Sequence, residues 1–552
     1  RRAFVLAGGA GLIYLMLVSR LTWLQVAEGQ RYAMLAEDNR INAQILPPLR
    51  GQIVDRYGVP IADNTRNYRA VIIPEQAKPF EEVLRTVQKK MGLRESEVQA
   101  LLIEAKRARS FTALTIRDYL SWDQVATVEV NLPDLPGVSI VEGAARLYPF
   151  ADATAHVIGY VAAPSKDEAG KDPLLRLPGF RIGKSGMEKA LEDDLRGRAG
   201  DQQVEVNVIG REVRELGRRD PIPGQRLTLS IDAELQQQLH TRLAKERSAS
   251  AVIMDVKTGE IYALTSYPAF DPNVFARAIP TALWDELNDP KNEEHPLTNK
   301  AVAGQYPPGS TFKMVTAMAA LEAGVIDEHT TVRCPGHYNF GNVVFHCWKK
   351  EGHGTMNVVS ALQQSCDTFF YEVGNRTGID RIAAMGRKLG LGDRLGIELA
   401  EEQPGLMPDP EWKKRVRHEK WHPGETINVA IGQGTVLTTP LQLATMIARL
   451  VNGGKGVLPW LVGYADSAQV HNGDYPDLGF RPENLKLVMQ GMWEVVNTQS
   501  GTAYASRLQR PDVQMGGKTG TAQVRRITMA MRSAGVKNED LPWKDRHHAL
   551  FV

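Results

Sequence analysis

Ser310-Thr311-Phe312-Lys313 is the stretch on which the reading of this chain turns. It follows Tyr306-Pro307-Pro308-Gly309 and leads into Met314 to Ala323, an apolar, alanine-rich run that Gly324 ends. The pattern predicts a helix whose first turn carries both polar groups, because residues at i and i+3 share one face. A serine hydroxyl becomes a good nucleophile only when a neighbouring base takes its proton. A lysine amine serves as that base when burial and the positive end of the helix dipole lower its pKa. Taken alone, the four residues favour the plainer reading of an ordinary helix start with a serine cap and an exposed lysine.

Two further segments change that balance. Ser365-Cys366-Asp367 comes next, and Lys518-Thr519-Gly520-Thr521 comes last, preceded by Gly516-Gly517. S-x-x-K, S-D-N and K-T-G in this order form the signature of penicillin-binding proteins and class A β-lactamases, and these three segments resemble it. A second K-T-G, Lys257-Thr258-Gly259, precedes the serine. Its flanks, Ala251 to Val256 and Glu260 to Leu264, alternate like strands, so it reads as a hairpin turn without a catalytic role.

At 552 residues the chain is long enough for two or three domains. A net charge of +2 gives no electrostatic case for a nucleic-acid partner. Arg1-Arg2 precede an apolar run from Ala3 to Val18, which Leu21, Trp23, Leu24 and Val26 continue past Arg20. The paired arginines and the interfacial tryptophan favour a retained membrane anchor over a cleaved signal peptide or a buried core helix. The positive-inside rule then leaves Arg1-Arg2 in the cytoplasm and the chain after about residue 28 outside. The chain starts without methionine and stops at His548 to Val552, which reads as the start of a strand, so both ends are expected to be trimmed.

Beyond the anchor, Asp55 to Gly58 has turn chemistry, and Glu81 to Met91 and Glu95 to Arg107 read as helices. Leu132 to Gly137 breaks the helical pattern, and short strands with a charged helix near Leu191 to Arg196 follow. No nucleophile with a plausible base lies in this part, which reads as a structural or docking module. A second domain begins near Gly224, with a strand over Arg226 to Ser230 and an amphipathic helix over Ala233 to Glu246.

With these motifs in order, the chain resembles a class B penicillin-binding protein along essentially its whole length. Arg50-Gly51, Ile53, Asp55-Arg56 and Gly58 resemble the start of that family's pedestal; His156 to Val161, Gly183, Gly186 and Glu188 resemble its later landmarks. Ile431 to Gly434, Thr439 to Gln442 and Asn452-Gly453-Gly454 resemble its transpeptidase domain. Asp367, where asparagine is usual, is similar to the elongation-type members; the division-type enzyme is the alternative. The resemblance implies an α+β multidomain fold. Its parts are a single transmembrane anchor (1–28), an elongated pedestal or dimerisation-type module (29–223) and a transpeptidase domain (224–552). The last would be β-lactamase-like, an antiparallel sheet with helices on both sides.

The resemblance also implies the chemistry. Ser310 would attack the penultimate D-alanine carbonyl of a stem peptide, with Lys313 as base. Ser365 would relay a proton to the leaving amine, with Lys518 tuning that hydroxyl and Asp367 beside it. Thr519, Gly520 and Thr521 would bind the substrate, and the backbone N–H groups of Ser310 and Thr521 would form the oxyanion hole. The expected setting is the periplasmic side of the inner membrane, in complex with a multi-span glycan polymerase of the elongation machinery. A β-lactamase is less consistent, since no E-x-x-L-N follows Ser365. A β-lactam sensor would carry several spans before its sensor domain.

The three cysteines, Cys334, Cys347 and Cys366, fall between the first two motifs, with His353 among them. An odd number of cysteines cannot pair completely within an exported chain. Three thiolates and an imidazole would complete a tetrahedral structural zinc site, with His337 and His346 in reserve. One disulfide with a free thiol, or three buried thiols, are the alternatives. The family resemblance adds that elongation-type relatives hold a metal near the active site. The chemistry itself calls for no cofactor.

Overall fold

The computed structural model describes residues 14–23, 41–107, 110, 112–170, 172–206, 212–277, 279–465, 468–471, 473–510, 512–524 and 536–552. Of the expected anchor, residues 14–23 are helical and exposed; the rest of 1–28 lies outside the described residues. Among the described residues no helix is long and apolar enough to cross a membrane.

One seven-stranded sheet runs through the first half of the chain and into the second. Its order is Ala468–Gln469, Val462–Ala465, Leu227–Leu229, Ile53–Val54, Pro60–Ile72 and Leu114–Arg117, with Val138–Leu147 also paired to Pro60–Ile72. Leu227–Leu229 is the seam. It pairs parallel with Ile53–Val54 on one side and antiparallel with Val462–Ala465 on the other. A hydrophobic core follows the same seam and joins Ile53, Ile61 and Met187 to Leu227, Ile261 and Leu441. A second core lies under the helices Phe80–Met91, Glu95–Arg107 and Trp122–Asn131. The first two start and stop close to where the apolar spacing places them; the third carries no bounds in the sequence reading.

The Arg50 to Gly58 segment fastens the first half of the chain to the second. A Cβ on Gly51 would lie 2.0 Å from the Gln225 carbonyl oxygen, so only glycine fits there. Asp55 accepts hydrogen bonds from the Tyr57 and Val59 amides through Oδ1 and from the Ala233 amide through Oδ2. Arg56 pairs with Glu260 and lies over the Tyr262 ring.

The third core surrounds the helix Lys313–Glu322, from Lys313 to Leu321 buried on every face. Alanine and methionine let other helices approach it closely, and a helix apolar all round belongs in an interior. Antiparallel pairing holds in the strand pairs of this half, Ala249–Met254 with Ile261–Tyr267 and Thr519–Ala522 with His548–Phe551. Lys257-Thr258-Gly259 forms the turn of the first pair. Asp255 Oδ1 accepts the Lys257 and Thr258 amides there, and Gly259 has a φ of +79°.

Candidate active site

Ser310 sits in a 3-10 turn, Gly309–Phe312, and the α-helix begins only at Lys313. The single α-helical turn expected from the sequence is thus two kinds of helix in succession. Gly309 supplies the reason. Its φ is +53°, and a Cβ there would lie 2.4 Å from the Thr521 carbonyl oxygen. The turn is therefore pressed against the strand that carries the third motif. Ser310 keeps partial exposure, whereas Lys313 is fully buried.

Lys313 does not point its donors at Ser310; among the described residues no hydrogen bond joins the two. Its Nζ donates to the Ser365 carbonyl at 2.9 Å, to Ser365 Oγ at 3.2 Å and to Asp367 Oδ1 at 2.7 Å. A buried ammonium has three N–H groups to satisfy, and the 365–367 segment offers three oxygens. The first two motifs are therefore joined through the lysine.

Ser365 is buried and left-handed, with a φ of +55°. For a residue other than glycine that conformation costs on the order of 1–3 kcal/mol and persists only where the surroundings impose it. Here the surroundings are plain. The Ser365 amide donates to the Leu362 carbonyl, and its own carbonyl accepts from Lys313 and from the Trp348 indole N–H at 3.1 Å. Asp367 opens the helix Asp367–Thr377, where the dipole favours a carboxylate. Its Oδ2 accepts the Trp348 amide at 2.9 Å while Oδ1 holds Lys313. An ionised carboxylate only accepts, and both of its oxygens do so here.

The third motif lies on Thr519–Ala522, just after Lys518. Lys518 and Val552 exchange both backbone hydrogen bonds, at 2.8 and 3.1 Å. Antiparallel pairs alternate, so Thr521, opposite Ala549, turns its N–H and C=O away from the 548–551 strand. That side faces the Ser310 turn, and Gln433 Nε2 donates to the Thr521 carbonyl from it at 3.0 Å. A Cβ on Gly520 would meet the Thr311 methyl at 2.9 Å, which fixes the glycine of this motif. Thr519 Oγ1 lies 2.7 Å from Thr502 Oγ1. The Lys518 amine is fully buried, and its recorded hydrogen bond is to the Thr519 carbonyl, at 3.1 Å. Burial pushes it well below the usual lysine range; the Lys313 charge adds to this and Asp367 opposes it.

Directly behind the second motif, Cys334, Cys347, His353 and Cys366 form one buried cluster whose donor atoms all lie within 4.8 Å of one another. The three cysteines are free thiols, not a disulfide pair. His353 Nδ1 lies 3.5 Å from the Cys334 sulfur and 3.5 Å from the Cys347 sulfur. Tetrahedral zinc with Zn–S of about 2.3 Å and Zn–N of about 2.0 Å sets sulfur and nitrogen about 3.5 Å apart, so the donor set fits. Two glycines make the convergence possible. A Cβ on Gly336 would strike the Lys350 carbonyl at 2.1 Å, and one on Gly352 the Cys334 carbonyl at 2.2 Å. His337 and His346 face each other across a separate hairpin, Tyr338 beside Phe345, and stay out of the cluster.

Trp348, Gln433 and Thr502 are the polar contacts that motif reading did not assign. Trp348 directly follows Cys347, but its hydrogen bonds cross to residues 364–367, and no spacing rule reveals that.

Comparison with known proteins agrees with this geometry. Residues 249–528 match the penicillin-binding protein transpeptidase domain, and residues 45–229 match the penicillin-binding protein dimerisation domain. The peptidoglycan D,D-transpeptidase MrdA of Acinetobacter baumannii is 37% identical, over 100% of this chain and 82% of its own length. This chain belongs to the class B penicillin-binding proteins, elongation type. The penicillin-binding protein PBP2 of Helicobacter pylori, solved in complex with MreC, superposes with a TM-score of 0.80 at 28% identity, covering 93% of this chain and 91% of that one. A chain from a peptidoglycan synthase complex that coordinates polymerization and crosslinking superposes with a TM-score of 0.70 at 32% identity, covering 95% of this chain and 89% of that one. The family assignment makes this chain a serine-type D,D-transpeptidase of peptidoglycan synthesis in cell elongation.

Proposed function

We propose that this D,D-transpeptidase acylates itself on Ser310. Ser310 Oγ attacks the penultimate D-alanine carbonyl of a stem peptide while Lys313 takes the hydroxyl proton. As the C–N bond breaks, Lys313 passes a proton to Ser365 Oγ, and Ser365 gives its own proton to the departing D-alanine amine. The net proton therefore moves from Ser310 to the leaving group. An amine of a second stem peptide then attacks the ester and regenerates Ser310. The observation that carries this reading is the Lys313 amine, one helical turn from Ser310 and 3.2 Å from Ser365 Oγ.

Asp367 holds the Lys313 amine in place between these steps. Lys518, depressed by burial, lies close enough to Lys313 for its charge to matter and acts on the Ser365 hydroxyl. Thr519 and Thr521 take the terminal carboxylate of the substrate, and Gly520 keeps the strand close to the Ser310 turn. The Thr521 and Ser310 N–H groups stabilise the oxyanion, a contribution that reaches about 3 kcal/mol per donor in related chemistry. Ser310→Ala is expected to abolish covalent labelling by a fluorescent penicillin; undiminished labelling would overturn the assignment.

Cys334, Cys347, His353 and Cys366 would hold a structural zinc ion, which when bound would lock the 334–366 loops behind Ser365. Elemental analysis should return about one zinc per chain. The proposed architecture is an anchor over 1–28, a pedestal over 29–223 and a transpeptidase domain from 224. The anchor would keep the catalytic domain on the outer face of the inner membrane, beside a multi-span glycan polymerase. The similar chain solved within a peptidoglycan synthase complex that coordinates polymerization and crosslinking supports a partner of this kind. Co-purification of the polymerase with the full chain tests it.

A further inference from the structure

We infer that Trp348 is a positioning residue for the acylation step, acting through Ser365 and Asp367; this rests on the relay role proposed for Ser365. Trp348 reaches the second motif twice. Its indole N–H donates to the Ser365 carbonyl at 3.1 Å and to the Gln364 carbonyl at 3.1 Å. Its backbone N–H donates to Asp367 Oδ2 at 2.9 Å. The same two residues supply all the recorded partners of Lys313 Nζ. Trp348 and Lys313 thus hold the same short segment.

The segment needs such a grip. Ser365 is held left-handed, and rotation of its peptide would carry Oγ away from the Lys313 amine. The Ser365 carbonyl is shared between the lysine and the indole, so the indole N–H fixes the peptide plane that sets the relay distance. A packing role alone does not account for these contacts. Trp348 lies largely exposed, at 56%, and its ring stands in an edge contact with His353, with centroids 5.3 Å apart. An exposed tryptophan whose N–H is spent on two backbone carbonyls of a strained turn is placed for orientation. Because Trp348 follows Cys347, it also links the cysteine–histidine cluster to the relay serine.

The test uses the full detergent-solubilised chain and a fluorescent penicillin, separating the pre-acylation dissociation constant from the acylation rate constant. Trp348→Phe keeps the ring against His353 and removes the indole N–H. It is expected to lower the acylation rate constant about fivefold, the scale of one lost part-buried hydrogen bond. The dissociation constant, the melting temperature and the metal content should stay unchanged. Trp348→Ala should show the same fall in rate. A role confined to packing predicts the reverse pattern: a wild-type rate for Trp348→Phe and a lower melting temperature for Trp348→Ala, and that result would overturn the inference. Ser365→Ala is the control. If it acylates at the wild-type rate, the relay reading itself fails; if it is slow while Trp348→Phe is normal, only the role of Trp348 falls.

Discussion

Two buried charge clusters sit in this chain, and they are built differently. At the junction, Glu188 is fully buried and receives the guanidinium groups of Arg50 and Arg146, the latter at 2.7 Å. Arg50 also pairs with Glu192 at 2.7 Å, and the Tyr148 hydroxyl donates to Glu188 at 3.3 Å. Burial pushes the Glu188 carboxyl up, but the two arginines outweigh it and hold it below the usual range. Two cations thus meet two anions. Around the second motif, Asp367 pairs with Lys313 at 2.7 Å, while Lys518 is buried without an ion pair among the described residues; burial, and after it the Lys313 charge, pushes its pKa down. Balanced charge locks the junction; beside the second motif a buried amine without its own carboxylate is shifted instead, and perturbed pKa values and function tend to coincide.

Substitutions can break this contrast in order of size. Lys313→Ala should lower the penicillin acylation rate by about a thousandfold, the range for a lost general base. Stopped-flow labelling measures it, and a fall of less than tenfold would remove Lys313 from the base role. Glu188→Gln should do the opposite. It strands the buried Arg146 guanidinium, leaves Arg50 with Glu192 alone, and should cost about 3–5 kcal/mol of stability in denaturant titration. The acylation rate of the folded fraction should stay within about twofold of wild type, since the junction is structural.

A smaller effect comes from His156, beside the junction. It is buried, its Nε2 lies 2.8 Å from the Pro296 carbonyl, and burial pushes its pKa down to about 4. Between that value and the unfolded value of about 6.5, the unfolded chain binds the extra proton. Stability therefore rises with pH across this window, by at most about 3 kcal/mol, and is lost as pH falls through it. His156→Gln should flatten that slope in denaturation measured from pH 4 to 7. The smallest effect belongs to the hairpin triplet: Lys257→Ala should change labelling and stability by no more than about 0.5 kcal/mol.

The sequence made the order of the three motifs, the serine helix and the hairpin decoy legible, because each rests on local spacing or turn chemistry. The cysteine–histidine convergence was legible as a donor set, though two glycines that permit it, Gly336 and Gly352, were not singled out. What spacing could not show was which oxygens take the Lys313 amine. That depends on how the 365–367 turn packs against the serine helix, a contact between segments about fifty residues apart. The left-handed Ser365 was hidden for the same reason, since serine has no local preference for that conformation. The strand Leu227–Leu229 was visible, but not that it closes a sheet between Ile53–Val54 and Val462–Ala465. Register across such distances is set by tertiary packing.

The central claim is that Ser310 is the acylated residue. Peptide mapping by mass spectrometry after penicillin treatment tests it most directly. The account predicts a single stoichiometric adduct on the peptide containing Ser310, absent from Ser310→Ala. An adduct on Ser365, or on any peptide lacking Ser310, would contradict it.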